Sequence, residues 1–589
     1  MIWAIRIAVF VLSVIWLLRT NRKEELFIAQ KTASQAVDLH STSTQPRPVA
    51  AQGSPEVTIL PGEQRVVAEA GRTLLEICES NDLPIEAGCR MGMCGADPVA
   101  ILAGMEHLSP IDDDERSTTE RLGLGPNTRM ACCARVQGPV SMSLQPERKS
   151  ATTTPAISDF EYDRSVKHIV VIGNGIAGVT TAGHIRRQHP DCEIHLIGRE
   201  KHALYNRMAI ARLIYGRSAM QGLCLMPDSW YDERKITCWI NTSVVKIDRD
   251  EQHVVLATGE TLPYDRLVLA MGGRSFVSQI EGFSLQGSFV LREADDAMQI
   301  RAYAQLHGSR TAVVAGGGLL GLEAAYALHK LGLHVAVLER SDRLLTRQLD
   351  RQGSQMLRTY LEGLGLEIVI NAETAALHGD VELQQLMQDK PDLRKFFYNT
   401  GHVAEVLLKD GRALPCDLYL ICAGIRSNME LAQEAGLTIN LGVVVDDGMW
   451  TSDPAIFAVG DVAEHRGEVQ GLWPIAVSQA EVAAINALGG ERVYQGSVPV
   501  TMLKVVGVDL TSIGRFEPSS PDEIVIALED RVEQRYRKLV IAEGKIVGTI
   551  LLGYPVDVPA VTAVIKEQRD VTRHIPALQA GNWDVLKTT

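Results

Sequence analysis

Residues 167–187, KHIVVIGNGIAGVTTAGHIRR, form the stretch whose reading decides the fold. Residues 169–172 are an unbroken apolar run of the kind that makes a short parallel strand buried on both faces. The run enters Gly173-Asn174-Gly175-Ile176-Ala177-Gly178 and continues as an apolar, alanine-bearing helix. Each glycine has its own physical task. Gly173 makes the tight strand-to-helix turn, Gly175 lets the backbone approach a pyrophosphate, and Gly178 lets the helix pack close to its sheet. The helix start then faces the phosphates with unpaired N–H groups and the positive end of its dipole. A second strand at residues 193–197 is followed by Glu200, placed to accept a hydrogen bond from a ribose hydroxyl. Glycine-rich turns also occur without any ligand; the strand–turn–helix setting is what points to a dinucleotide.

The pattern recurs. Residues 311–328, TAVVAGGGLLGLEAAYAL, repeat strand, turn and helix with Gly316, Gly318 and Gly321, and the following strand ends at Glu339. Two such folds in one chain resemble the two-dinucleotide flavoprotein reductases, in which the first binds FAD and the second a nicotinamide nucleotide. Residues 267–273, LVLAMGG, resemble that family's strand and turn between the domains. Residues 456–462, IFAVGDV, resemble its second FAD motif, with Gly460 in the turn and Asp461 hydrogen-bonding the ribityl chain. Tyr205-Asn206-Arg207 resembles a stretch of the nitrite reductase large subunit and of rubredoxin and ferredoxin reductases. The resemblance puts Arg207 at the FAD phosphates, with a surface salt bridge as the alternative; Ala211-Arg212 stand where relatives often carry Ser or Lys. It also puts Glu323 beside nicotinamide and flavin, against an ordinary helix-surface role. Glu339 favours NADH by meeting the ribose hydroxyls and repelling a 2′-phosphate, while Arg340 and Arg343 keep NADPH admissible. No redox-active cysteine pair follows the first glycine motif, which sets aside the disulfide-reductase branch. Residues 499–583 resemble the small C-terminal domain that covers the flavin in this branch. No downstream cysteines suit a sirohaem or [4Fe–4S] module.

A chain of 589 residues is too long for one core. Its net charge of −14 argues against a nucleic-acid binder. Its ten cysteines are too sparse for a disulfide framework, yet four crowd between Cys89 and Cys133, which suggests a metal or cluster site.

Residues 1–18 are apolar except for Arg6 and Ser13, with Trp3 and Trp16 near the ends and Arg19, Arg22 and Lys23 following. At ~1.5 Å per residue this run is just long enough to span a bilayer, and the trailing charges predict a cytoplasmic body. The expectation is therefore a single-pass protein of the inner or plasma membrane, with a cleaved signal peptide as the rival. Residues 31–55 read as a flexible tether.

The unit that follows resembles a plant-type ferredoxin along its whole length. Its loop runs Gly88-Cys89-Arg90-Met91-Gly92-Met93-Cys94-Gly95-Ala96-Asp97, and Arg129-Met130-Ala131-Cys132-Cys133 lies further on. Such ferredoxins hold a [2Fe–2S] cluster through C-x4-C-x2-C and a distant fourth cysteine. This chain departs from them, because Asp97 stands where the third cysteine should. Either Asp97 joins Cys89, Cys94 and Cys132, or Cys133 substitutes; the remaining reading is a ferredoxin fold without its cluster. If Cys132 and Cys133 share a strand, their side chains point to opposite faces, which favours Asp97. Asp112-Asp113-Asp114-Glu115 is the densest acidic patch, suited either to steering a basic partner or to a solvated turn.

The expected architecture is α/β: two Rossmann-like FAD/NAD(P)-binding domains plus an α+β C-terminal domain, preceded by a β-grasp ferredoxin-like domain and one N-terminal transmembrane helix. Its parts are an anchor at 1–19, a linker at 20–54, the ferredoxin-like domain at 55–148 and a linker at 149–164. The FAD domain follows at 165–287 and 416–496, split by the NAD(P)H domain at 288–415, with the C-terminal domain at 497–589. A helical-patterned insertion at 378–401 has no legible role. The expected activity is a membrane-tethered NAD(P)H-dependent flavoprotein oxidoreductase. Electrons would pass from NADH through FAD and the cluster to a separate acceptor, a redox protein or a quinone. The alternatives are a low-turnover redox sensor or assembly component, and a flavin dehydrogenase that reduces quinone directly with the ferredoxin unit as a docking module.

Overall fold

The computed structural model describes residues 55–85, 88–146, 161–216, 219–227, 229–379, 401–496 and 500–587. These belong to one compact unit, Pro55–Thr589. The expected anchor and first linker, most of the second linker and residues 380–400 lie outside them.

The first part is built on β1 (Glu56–Leu60) and β2 (Gln64–Val67), an antiparallel hairpin that sends Val57 and Ile59 inward. Helix α1 (Leu74–Ser80) starts at a capping box: the Thr73 hydroxyl accepts from Glu76 N, and the Glu76 carboxylate accepts from Thr73 N. β3 (Pro98–Ala103), α2 (Asp113–Leu122), β4 (Thr128–Met130) and β5 (Val140–Ser143) complete it. The sheet order is β2-β1-β5-β3-β4, with β5 parallel to β1 and the other pairs antiparallel.

Two parallel sheets follow, each organised by one glycine fingerprint. In the first, β6 (His168–Ile172) leads into α3 (Ile176–Gln188) and returns as β7 (Glu193–Ile197). β8 (Ile236–Trp239) and β9 (Arg266–Leu269) extend it. The second contains β10 (Ser288–Val290), α4 (Ala294–Leu306), β11 (Thr311–Ala315), α5 (Leu319–Lys330), β12 (His334–Glu339), α6 (Arg351–Gly363), β13 (Glu367–Ile370) and β14 (Leu418–Ile421). Its order is β10-β14-β11-β12-β13, parallel throughout. The chain then crosses back, and β15 (Ile456–Ala458) closes the first sheet in the order β15-β9-β6-β7-β8, with α7 (Trp473–Ala487) after it. The last part is an antiparallel sheet, β16 (Val500–Val505), β17 (Val508–Gly514), β18 (Ile524–Asp530), β19 (Arg535–Ala542) and β20 (Lys545–Leu552), in the order β16-β17-β20-β19-β18. Helix α8 (Val558–Lys566) packs on it through Val561, Val564 and Ile565.

The cores are shared between neighbours. One apolar cluster joins Leu75 and Val136 of the N-terminal sheet unit to Ile169 and Phe457 of the first parallel sheet. Another joins Leu322 and Leu357 of the second to Tyr536 and Ile550 of the C-terminal sheet. Across that second junction Asp350 caps α6 and accepts from Tyr536 Oη at 2.7 Å and Lys538 Nζ at 2.8 Å. All three groups are buried, so each needs the others to satisfy its polar atoms.

Two expectations are corrected. No helix among the described residues is long and apolar enough to cross a membrane. The single-pass membrane localisation with a cytoplasmic body is therefore not retained: residues 1–18, its sole support, lie outside the described residues. Within the acidic patch Asp112 and Asp113 stay exposed, while Asp112 also caps α2 by accepting from Glu115 N at 2.7 Å and Glu115 alone is buried. His378 is no insertion residue; it belongs to a strand, Thr374–Gly379, paired with Val403–Leu408.

Candidate functional site

The two glycine turns are built alike. Gly173 has φ +124° and Gly316 φ +130°, a region that glycine enters freely. A Cβ there would stand 2.1 Å from Ala270 O and 2.3 Å from Cys422 O, respectively. At the third glycine of each motif a Cβ would lie 1.8 Å (Gly178) or 1.9 Å (Gly321) from the carbonyl of the first, so helix and strand touch backbone to backbone. The middle glycines differ in kind: around Gly175 and Gly318 an added Cβ meets nothing within 4 Å. Each turn thus leaves an open cradle at the start of a helix of twelve or more residues, the setting in which N–H groups and helix dipole receive a pyrophosphate.

Around the first cradle, Glu200 accepts from Tyr205 Oη at 2.6 Å and from Arg207 Nη2. Arg207 also donates to Arg292 O at 2.8 Å and lies over the Tyr205 ring. Burial works against its charge, but the Tyr205 and Glu200 oxygens outweigh burial and hold the guanidinium above its ordinary range. Asp461, just after Gly460 in a short 3-10 turn, accepts from Arg292 Nη2 at 2.8 Å. Gly460 N donates to Gln479 Oε1 at 2.8 Å. Arg292 was not anticipated. It links Asp461, Arg207 and, through Nε at 2.9 Å, Gly273 O. Its signal in the sequence is a basic residue between a strand and the Glu293/Asp296 capping box of α4.

At the second cradle, Glu339 accepts from Gly317 N at 2.8 Å and Ser341 N at 2.7 Å. These two bonds hold the carboxylate at the mouth of the turn. Glu323, in the first turns of α5, accepts from Val506 N at 3.0 Å and so ties the second nucleotide unit to the C-terminal sheet.

The cysteine loop gathers all five sulfur and oxygen candidates. Cys89 N donates to Cys94 Sγ and Cys94 N to Cys89 Sγ, each at 3.3 Å. Met91 N reaches Cys89 Sγ at 3.4 Å, and Gly92 N reaches Cys132 Sγ at 3.3 Å. Backbone N–H groups therefore point at three thiols before any cluster is considered. Asp97 is 1% exposed; its Oδ2 accepts from Cys132 N at 2.5 Å, and its Oδ1 is buried with no hydrogen-bond partner. Burial lifts its pKa to about 6, against the hydrogen bonds from Cys132 and the charge of Arg90. The Cys94 and Cys132 thiols sit well above the usual range, through hydrogen bonding with Cys89 and Cys133 and then through burial. Cys132 and Cys133 do not share a strand. They lie in the turn after β4, with Sγ atoms 3.9 Å apart, so the opposite-faces argument against Cys133 falls away. Among the described residues no three potential ligands converge on a single-ion position; a [2Fe–2S] cluster takes its four ligands across two irons. The buried thiols, the inward N–H groups and the bare carboxylate oxygen fit such a cluster. Behind them, Arg129 pairs with the fully buried Glu115 through Nε and Nη2, both at 2.8 Å, and Glu115 also accepts from Met130 N at 2.7 Å.

This loop is seated on the rest of the chain. A Cβ on Gly88 would lie 3.3 Å from Asn206 Nδ2, beside Tyr205 and Arg207. Arg90 approaches Asp509 of β17 at 3.5 Å. From α2, Ser117 Oγ donates to Glu481 Oε1 at 3.2 Å, and Arg121 O accepts from the buried Trp230 Nε1 at 3.3 Å.

Residues 167–480, more than half of the chain, match the family model of the pyridine nucleotide-disulphide oxidoreductases. The chain belongs to that family. Residues 57–137 match the 2Fe-2S iron-sulfur cluster binding domain, and residues 499–569 the rubredoxin NAD+ reductase C-terminal domain. Its cofactors are FAD, NAD(P)H and a [2Fe–2S] cluster. The chain is 32% identical over 410 residues to an assimilatory nitrate reductase electron transfer subunit of Bacillus subtilis (strain 168), covering 69% of this chain and 50% of the relative. It thus spans only half the length of that relative. It is also 32% identical over 397 residues to the ferredoxin reductase component of chlorobenzene dioxygenase from Cupriavidus sp. (strain PS12), covering 66% of this chain and 90% of the relative. A chain in the crystal structure of the covalent putidaredoxin reductase–putidaredoxin complex superposes with TM-score 0.62 at 27% identity, over 72% of this chain and 97% of the other.

Proposed function

We propose that electrons enter this protein from NADH, pass through FAD to the cluster held within the same chain, and leave for a separate acceptor, a redox protein or a quinone. One observation carries the reading: the cysteine loop lies against the Tyr205-Asn206-Arg207 segment of the FAD unit, and the two units share one apolar core. Bound FAD supplies the exchange between the two-electron chemistry of a nicotinamide and the single electrons a [2Fe–2S] cluster carries. The protein's own groups bind and orient. Gly175 and Gly318 leave room for the pyrophosphates, Glu200 and Glu339 accept from riboses, and Arg292 with Asp461 lines the first cradle. Glu323 positions the nicotinamide side while holding the C-terminal sheet. The putidaredoxin reductase–putidaredoxin complex brings a reductase and a redox partner together; here the iron–sulfur domain and the reductase units lie in one chain.

The ligand set is Cys89, Cys94, Cys132 and Asp97, with Cys133 as the spare. Its support is the bare, buried Oδ1 of Asp97, a costly arrangement unless something binds there. Cys133 is only half-buried. Asp97→Ala should leave the cluster labile or absent, Cys133→Ser should leave it intact, and Asp97→Cys should give a stable cluster with an ordinary plant-type electron paramagnetic resonance signal. The docking-module alternative requires neither buried thiols nor N–H groups aimed at them. It takes first place if anaerobically purified protein binds FAD but contains no iron or acid-labile sulfide. Rapid acceptor reduction separates the reductase from a sensor, for which NADH oxidation stays slow.

A further inference from the structure

We propose that Arg121 is the counter-charge of the iron–sulfur cluster, a positioning residue that favours the cluster's reduced state at the junction between the ferredoxin unit and the FAD unit. The proposal rests on the reading that the cluster sits in the loop of Cys89 and Cys94.

Arg121 occupies the last turn of α2 and is 3% exposed. Its Nη2 donates to Met93 O at 2.5 Å, one residue before Cys94, and to Thr118 Oγ1 at 3.2 Å. Its Nη1 is buried with no hydrogen-bond partner. Among the described residues no carboxylate is paired with it. The contrast with Arg129 in the same unit is direct, since Arg129 has both carboxylate oxygens of Glu115 and the Ser109 carbonyl. A buried guanidinium is rarely left without an anion, because its hydration is lost and nothing replaces it. Burial pulls Arg121 down to about 10, and the charges that oppose this are, in order, Cys94, Glu481 and Cys89. Two of these three lie in the cluster loop. The anion missing from the protein is the one the cluster would bring: a ferric [2Fe–2S] core with four anionic ligands is a net anion, and each accepted electron deepens that charge. A fixed cation nearby, in a site shielded from water, therefore stabilises the reduced form more than the oxidised form. The position adds a consequence. The Arg121 carbonyl accepts from Trp230 Nε1 of the first nucleotide unit, so the end of α2 that carries the cation lies at the junction with that unit.

The rival is a purely structural arginine that closes α2 and braces the Met93 carbonyl, with a favourable helix-dipole interaction. Arg121→Gln keeps an amide donor and removes the charge; Arg121→Lys keeps the charge and loses the planar fork. The full chain is titrated redox-potentiometrically, with the cluster followed by electron paramagnetic resonance and the flavin by absorbance. Arg121→Gln is expected to load iron and sulfide as the native protein does. Its one-electron reduction equilibrium should fall about tenfold, about 59 mV to the negative, with the flavin unmoved. Arg121→Lys should lie closer to the native value than to Arg121→Gln. A fully loaded Arg121→Gln at the native potential overturns the proposal, as does an equal displacement in both variants. If Arg121→Gln fails to load, Arg121→Lys decides: a cluster at near-native potential supports the counter-charge, and a second failure to load assigns Arg121 a structural role and overturns it. Native protein without iron and sulfide removes the proposal together with the cluster reading beneath it, whereas the other overturning results leave that reading standing.

Discussion

Gly175 and Gly178 stand three positions apart and make opposite demands of a substituent. A Cβ at Gly178 would collide with the Gly173 carbonyl, whereas a Cβ at Gly175 enters open space. Gly175→Asp should therefore fold and yet exclude FAD, since its carboxylate occupies the pyrophosphate's place with the wrong charge. The check is flavin stoichiometry alongside a circular dichroism spectrum; a native-like spectrum with stoichiometric flavin would refute the cradle. Glu339 is already fixed by two backbone N–H groups at the second cradle. We expect NADH to be the better donor and Glu339→Arg to narrow or reverse the preference, measured as the ratio of kcat/KM values for NADH and NADPH. Equal native efficiencies would contradict this assignment. Both residues were legible because a motif states their chemistry in a few consecutive letters. Arg292 was not, because its partners Asp461 and Gly273 are brought to it only by the crossover between the two parallel sheets.

At the scale of the element, the segment from α2 to β4 is what presents Cys132. Glu115 projects inward from α2, pairs with Arg129 in two parallel bonds, and takes Met130 N as a third donor. A run of four acidic residues reads as a solvated surface, and three positions do not contradict that reading. The fourth is decided by helical phase: Asp112 caps the helix, and the turn that follows carries Glu115 to the inner face. Removing one member of a buried pair leaves the other uncompensated and costs about 3–5 kcal/mol. Glu115→Gln should accordingly lower the unfolding temperature of the ferredoxin unit and speed iron release, both followed in one thermal scan at the cluster's visible absorbance. An unchanged transition would show that Arg129 finds another partner.

At the scale of the described residues, the iron–sulfur domain and the nucleotide units form one compact unit, Pro55–Thr589, and the proposed electron route runs inside it. If the cluster is filled from the flavin of its own chain, its reduction after mixing with NADH should be first-order and independent of protein concentration over a tenfold range. Trp230 is among the largest fully buried side chains and donates to the Arg121 carbonyl across the junction. Truncating a buried tryptophan typically costs about 3–5 kcal/mol. Trp230→Ala should therefore slow cluster reduction while leaving NADH-dependent flavin reduction largely in place. Stopped-flow traces at the two chromophores test both statements, and a rate that scales with concentration would mean transfer between chains.

The two nucleotide folds, the turn at Gly460–Val462 and the cysteine loop were readable from sequence because local spacing sets their conformation: period, glycine position and cysteine spacing all act within a few residues. The departure at Asp97 was visible in the same way. What only the tertiary structure decided depends on residues far apart in the chain. It set Cys132 and Cys133 in a turn with adjacent sulfurs rather than on opposite faces of a strand. It gave Arg292 its carboxylate partner and turned Glu323 toward the C-terminal sheet. It also seated the ferredoxin unit on the FAD unit through a common core. Local sequence dictates which dihedral angles and ligand spacings are available, but which buried charge meets which partner is settled only when separate elements exclude water together.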